Sequence, residues 1–201
     1  MSQNNYNLRI VESLLKSENH IRELAKLLDT NQTTIARKVQ ELYKNNVVDF
    51  KQKGKNKVVF LKKSLEAKQY AYHVETQKLL ETLKKYPNLR RIIELIKKNE
   101  KINLAFLFGS YAKGIVKKES DIDIYVDTIN RKLKEEVESI DSKISVKIGE
   151  YNKESLLIKE IEKNHVILKG IEILEAGDFT GGLDENGKCT GCFYGENCNF
   201  L

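Results

Sequence analysis

Leu104-Ala-Phe-Leu-Phe-Gly-Ser-Tyr-Ala-Lys-Gly-Ile-Val-Lys-Lys-Glu-Ser-Asp-Ile-Asp-Ile-Tyr-Val126 is the stretch that decides the fold of this chain. Leu104 to Phe108 is a short apolar run cut off by Gly109, the pattern of a strand buried on both faces that turns sharply at its end. A short helix and a basic loop follow, and then a second strand. Asp121 and Asp123 are two apart, so a strand over Ile122 to Val126 projects both carboxylates from one face and packs its isoleucines on the other. Two acids on one face repel each other unless a cation sits between them.

That pattern suits a divalent metal. Mg2+ takes hard oxygen ligands and is commonly held by one or two carboxylates together with substrate phosphates. Gly109 lets the backbone approach a phosphate closely, Ser110 offers a hydroxyl and an N–H, and the following helix start presents unpaired N–H groups. Gly109-Ser110, ten intervening residues, then Asp121-x-Asp123, with Tyr111-Ala-Lys-Gly114 and Ser120 between, resembles the signature of the DNA polymerase beta-type nucleotidyltransferase superfamily, in particular its small MNT-type domains. The resemblance implies Mg2+ at Asp121 and Asp123, which are also the catalytic candidates. It further implies a nucleoside triphosphate, taken as ATP, with its phosphates at Gly109, Ser110 and Lys113. An Asp-x-Asp or a Gly-Ser taken alone is an ordinary surface feature, and an exposed lysine such as Lys113 is too.

The chain has 201 residues, 40% hydrophobic and 32% charged, with a net charge of +6. Its longest apolar run, five residues, is far below the length of a membrane span, and the polar Met-Ser-Gln-Asn-Asn start is unlike a signal peptide. A cytoplasmic protein with no membrane partner is the expectation. Residues 1–86 carry 17 Lys+Arg against 9 Asp+Glu, about +8, which leaves about −2 for the rest. The basic part is the one suited to nucleic acid.

Within that part, Leu8, Ile10, Val11, Leu14 and Leu15 recur at helical spacing, and Ile21 to Leu28 forms a second stripe. Asn31 can cap a third helix over Gln32 to Asn45, with Ile35, Val39 and Leu42 inward. Two β-like segments, Val47 to Lys51 and Lys57 to Leu61, follow around a Lys/Gly turn. This order resembles a winged helix-turn-helix domain of bacterial and archaeal regulators. The resemblance places the third helix in the major groove of double-stranded DNA, with Gln32, Thr33, Thr34, Arg37 and Lys38 on its exposed first half. It makes the hairpin a wing whose Lys51, Lys53, Lys55 and Lys57 meet phosphates. A winged helix that docks a protein, with solvated lysines, is the alternative.

Ser64 to Tyr86 reads as a connecting helix with apolar residues at helical spacing, Leu65, Tyr72, Leu79, Leu80 and Leu83, which packs on its own chain or pairs with a second copy. Pro87 marks a boundary before a helix over Leu89 to Lys98. After the aspartate strand, a helix over Asn130 to Ile140 leads to Ile144-Ser-Val-Lys-Ile148, which alternates cleanly, with Ser145 and Lys147 on its polar side. The superfamily places a third carboxylate on this strand, and here the phase offers Ser145. Asp141 precedes the strand and Glu150 is out of phase. With two acids, deprotonating an acceptor would need another group. Glu154 to Lys163 is a further helix, and His165 to Leu174 reads as a turn and closing strands, an ending that resembles archaeal fusions of a winged helix to a nucleotidyltransferase domain. His20, His73 and His165 lack partners at ligand spacing and are taken as structural. The tail from Gly177 holds Cys189, Cys192 and Cys198, which could clip Zn2+ given a fourth ligand or simply stay reduced.

The expected fold is α+β in two domains, a winged helix-turn-helix followed by a mixed β-sheet with flanking helices. The expected boundaries are 1–63, a connecting helix over 64–87, the nucleotidyltransferase domain over 88–176 and a tail over 177–201. By resemblance, an enzyme of this kind moves a nucleoside monophosphate onto a hydroxyl. Members of the superfamily adenylylate a tyrosine of a partner toxin, as antitoxins, or modify aminoglycosides. A regulator that senses nucleotide without catalysis remains the alternative.

Overall fold

The computed structural model describes residues 6–54, 56–152 and 154–173. Lys55 and the whole cysteine tail lie outside the described residues. Two compact units, residues 1–74 and 75–174, divide the chain.

The first unit opens with α1 (Tyr6–Lys16), α2 (Ile21–Leu27) and α3 (Gln32–Lys44), then the hairpin β1 (Val48–Lys53) and β2 (Asn56–Leu61). Ile10, Val11, Leu14 and Leu15 of α1 are buried with Leu24 and Ala25 of α2 and Ile35, Val39 and Leu42 of α3. Those positions are the helical stripes that the sequence displays. Asn31 caps α3 as expected, its side chain accepting from Thr34 N at 2.7 Å, a contact worth about 1 kcal/mol. The hairpin is fully antiparallel, Val48 pairing with Leu61 and Lys53 with Asn56, and it turns at Gly54, φ +61°. Asn19 adds a one-residue third rung, exchanging backbone hydrogen bonds with Val59 at 3.1 and 2.9 Å.

α4 (Leu65–Lys85) runs through the division between the units. Of the apolar residues Leu65, Tyr72, Leu79, Leu80 and Leu83, only Leu79 belongs to its buried stripe. Ala67, Ala71, Val74, Glu75 and Leu79 face inward, whereas Leu65 and Leu80 are 71% and 56% exposed. Small alanines let the helix backbone approach its neighbours, and the larger leucines are left outside.

The second unit adds α5 (Leu89–Lys98), β3 (Ala105–Leu107), α6 (Gly109–Lys113), β4 (Ile122–Asp127), α7 (Arg131–Glu138), β5 (Ile144–Gly149), α8 (Leu156–Lys163) and β6 (Val166–Lys169). Its sheet runs β5-β4-β3-β6. β3 is antiparallel to both neighbours, and β4 is parallel to β5 across the α7 crossover. The sheet is therefore mixed, as the sequence implied. Ile92, Ile93 and Ile96 of α5 pack with Leu107, Ile122, Ile124, Val126, Leu133, Val137 and Val146 in one core. The expected closing strands reduce to β6 and a turn. Gly170 takes φ +85° and Ile173 N donates to its carbonyl at 3.1 Å, which reverses the chain. A Cβ on Gly170 would run into the carbonyl oxygen of Asn103.

Candidate functional sites

β3 delivers the chain into the first site. Phe108 N donates to Asp123 O at 3.0 Å, so the strand pairing continues up to the turn. Gly109 follows with φ +67° and opens α6. The conformation and the crowding both demand glycine, because a Cβ there would collide with Asp123 Oδ2. Gly109 and Asp123 are thereby fitted to each other, across a connection of 13 residues. Gly114, φ +72°, ends α6 in the left-handed conformation typical of a helix C-terminus, and Lys85 Nζ donates to its carbonyl at 2.8 Å.

Ile122, Ile124 and Val126 enter the core, so Asp123, Tyr125 and Asp127 point from the opposite face of β4. Asp121 stands exposed just before the strand, and Asp123 is half-buried. Burial raises the pKa of Asp123 and the neighbouring charge of Asp121 raises it further, while Lys147 works in the other direction. A carboxylate held in this way ionises more readily once a cation joins it. The pair thus has the hard oxygen donors that Mg2+ prefers, beside a backbone stripped of its Cβ. Among the described residues, no three of His, Cys, Asp and Glu converge as a metal cluster.

The parallel register sets Ser145 beside Asp123 and Lys147 beside Tyr125. The place read in the sequence for a third carboxylate therefore carries a hydroxyl. Ser110 is half-buried at the start of α6, and Lys113 is exposed with its ammonium 3.1 Å from Glu160. Tyr125 donates its hydroxyl to Gly149 O at 2.8 Å. Burial first, and then the charges of Asp127 and Glu150, push its ionisation upward, which leaves it a hydrogen-bond donor and no base.

Farther along this same face lies a cluster that the sequence does not announce. Phe106 packs against Tyr125, Tyr151 and His165, with ring centroids 6.1, 5.9 and 5.7 Å apart. His165 Nδ1 lies 3.2 Å from the carbonyls of Ile161 and Glu162. Both neighbours only accept, so Nδ1 carries the hydrogen. Nε2 faces Glu75 at 3.6 Å, and Lys78 reaches the same carboxylate at 2.7 Å. Burial alone would raise the pKa of Glu75, yet these two neighbours hold it down at about 2. His165 is structural, as expected, but it has a charged partner 90 positions away.

In the first unit, Gln32, Thr33 and Arg37 are exposed on α3, while Thr34 and Lys38 are half-buried. Lys38 pairs with Glu41 at 2.8 Å, and Glu41 also accepts from Asn7 at 2.7 Å. On the hairpin, Lys51 and Lys53 converge on Glu18 at 2.6 and 2.9 Å. Burial opposes the ionisation of Glu18, but the two lysines win and lower its pKa. Lys57 lies over the Phe50 ring, 4.1 Å from its centroid. Glu18 escaped the sequence reading because it lies 33 positions before Lys51; its only signal is its place beside the Asn19 rung.

The family described as Polymerase beta, Nucleotidyltransferase matches residues 90–173, and the family described as HVO_A0114 matches residues 4–64. Among solved structures, the chain is similar to the transcriptional repressor BigR from Xylella fastidiosa. The two are 18% identical over 35% of this chain and 69% of that one, with a TM-score of 0.33. A homodimeric winged helix-turn-helix DNA-binding domain from Mycobacterium bovis is 22% identical, over 39% of this chain and 74% of its own, with a TM-score of 0.35. No curated protein matches the chain. The protein is a winged helix-turn-helix unit followed by a nucleotidyltransferase domain of the polymerase beta type.

Proposed function

We propose that the second unit binds a nucleoside triphosphate with Mg2+ and transfers its nucleoside monophosphate, AMP from ATP, to a hydroxyl of a protein or small molecule. The observation that carries this reading is the fit of the Asp123 carboxylate to Gly109 beside the charge of Asp121. Asp121 and Asp123 would hold the metal, and Gly109 and Ser110 would meet the phosphates with backbone N–H groups and a hydroxyl. When bound, Mg2+ would neutralise phosphate charge that builds as the bond to pyrophosphate breaks. The residues of the chain orient and bind. In the transfer itself, the acceptor oxygen bonds to the α-phosphorus, pyrophosphate leaves with the bonding pair, and the hydroxyl proton must pass to a base. Ser145, opposite Asp123, cannot take that proton at neutral pH.

That same serine supports a second reading, a regulator whose nucleotidyltransferase domain binds nucleotide without transfer. In both readings the first unit binds double-stranded DNA, through Gln32, Thr33, Thr34, Arg37 and Lys38 on α3 and through the wing lysines Lys53 and Lys55. A homodimer, an antitoxin-like partner and a cytoplasmic location belong to the same proposal. Among the described residues, no helix is long and apolar enough to cross a membrane.

The test is calorimetry of ATP with Mg2+ on wild-type protein and on the Asp121→Asn, Asp123→Asn double variant, followed by a search for labelled AMP on protein. Binding lost in the variant together with transfer by wild type supports the enzyme. Binding without transfer, in the presence of candidate acceptors, supports the sensor. No Mg2+-dependent binding by wild type sinks both.

A further inference from the structure

We infer that Lys147 is the phosphate-holding cation of the Asp121/Asp123 site, and that Lys113 is not; the inference rests on the nucleotide-binding reading above.

Three observations converge on Lys147. β4 and β5 run parallel and in register, Asp123 beside Ser145 and Tyr125 beside Lys147. Paired residues of neighbouring strands share a face, so Lys147 projects from the same face as Asp123, one diagonal step along the sheet, within reach of a long side chain. Its side chain is exposed, and among the described residues it has no ion-pair or hydrogen-bond partner.

Lys113 stands in contrast. It follows Ser110 on α6, where a phosphate-binding lysine is expected from the sequence, but its ammonium lies on Glu160. Turning it toward a ligand would require breaking that pair. Lys143, just before β5, donates to Lys118 O at 3.1 Å. Of these three lysines, only Lys147 keeps its donors for a ligand.

The charge balance of the site points the same way. Two carboxylates and an ammonium carry a net −1, where three carboxylates would carry −3. A single divalent cation on Asp121 and Asp123 turns that into +1, a field suited to a polyphosphate chain. A lysine bonds phosphate oxygens as a point charge, without demanding one geometry. It would read the phosphates and leave the base unread. A triphosphate should therefore be preferred over a monophosphate whatever the nucleoside.

The test uses the full chain and two probes with Mg2+, the α,β-methylene analogue of ATP and inorganic tripolyphosphate, with affinities measured by calorimetry. Lys147→Ala should weaken both probes by about tenfold or more, the scale of a lost charge-assisted hydrogen bond. It should also narrow the preference of triphosphate over AMP. Lys147→Arg should recover most of the affinity, and Lys113→Ala should stay within about twofold of wild type. Because Lys147 is exposed, its variants should unfold at the wild-type urea midpoint. Wild-type affinity in Lys147→Ala, with affinity lost in the Asp121→Asn, Asp123→Asn variant, overturns the role of Lys147 and leaves the metal site standing. A loss in Lys113→Ala equal to that in Lys147→Ala overturns the assignment between the two lysines. Failure of wild type to bind either probe overturns this inference together with the nucleotide-binding reading.

Discussion

Two acidic centres of the second unit sit in opposite electrostatic states. Glu75 is 1% exposed, yet Lys78 and His165 sit against it and hold its pKa at about 2. Asp123 is more accessible, but it faces Asp121, and its pKa is raised. Desolvation acts on both carboxylates. What separates them is whether the protein supplies the compensating cation. At Glu75 it supplies Lys78 at 2.7 Å, with the His165 ring beside it; at Asp123 it offers only the partial help of Lys147. A carboxylate left in tension on an open face, with a glycine fitted against it, is the arrangement that a ligand cation relieves. This is the physical sense in which perturbed groups mark functional sites.

The strongest way to break the comparison is to remove the satisfied acid. Glu75→Ala should destabilise the protein by about 3 kcal/mol, because it strips Lys78 and the buried His165 of their partner and leaves a void. Urea unfolding at pH 6 measures it. The pH dependence has a definite sign. The pKa of Glu75 falls from its ordinary 4.5 to about 2 on folding, so its contribution is fully present above about pH 4.5 and is lost as pH drops toward 2. The stability gap between wild type and Glu75→Gln should therefore be widest at pH 6 and shrink by pH 3. A gap that stays constant would mean that Glu75 is not held ionised by its neighbours.

Gly109→Ala comes next. The new methyl would meet Asp123 Oδ2 at a backbone angle, φ +67°, that L-residues avoid. A loss of about 2 kcal/mol is expected, together with loss of Mg2+-dependent nucleotide binding. Wild-type binding by a folded Gly109→Ala protein would separate the glycine from the site.

The opposite sign is expected at Asp123. Its raised pKa means that the folded protein holds a proton there more tightly than the unfolded chain does. Stability therefore falls as pH climbs through the ordinary aspartate range and on through the raised pKa. Asp123→Asn should remove that fall and gain up to about 1 kcal/mol at pH 7, allowing for solvent screening, while abolishing nucleotide binding. Gain of stability with loss of function would mark a residue kept at a cost to the fold. A loss of stability would place Asp123 with Glu75, among the satisfied acids.

These particulars show what the sequence could and could not reveal. The apolar run into Gly109, the Asp-x-Asp phase of β4, the amphipathic α5 and the Asn31 cap are local patterns, each contained within a few residues, and they were legible. On α4, hydrophobicity marks Leu65 and Leu80, whereas close packing buries Ala67 and Ala71, and spacing alone does not tell the two apart. Glu75 with His165, and Glu18 with Lys51 and Lys53, pair across long stretches of chain, and periodicity carries no such information. Ser145 and Lys147 were placed on the polar side of their strand. That Lys147 keeps its ammonium unpaired, while Lys113 spends its own on Glu160, depends on tertiary contacts alone.

The smallest expected effect tests the basic surface of the first unit, where charges are held without tension. Lys53 is 61% exposed on its side chain, so Lys53→Ala should cost under about 1 kcal/mol of stability. If the wing meets phosphates, the same change should lower the slope of log affinity against log salt by about 0.9 on duplex DNA, equally for all sequences. Arg37→Ala on α3 should act differently, because a side chain that reaches base edges discriminates among sequences as well as adding charge. Binding titrations at several salt concentrations, on a panel of duplexes, separate the two. Glu18 decides how much of the lysine effect appears. It already holds Lys51 and Lys53 in the free protein, so a phosphate must compete with it, and Glu18→Gln should strengthen DNA binding by the amount that this competition costs. If Glu18→Gln and Lys53→Ala both leave the salt slope unchanged, the hairpin is an ion-paired structural element, and any DNA contact must run through α3 alone.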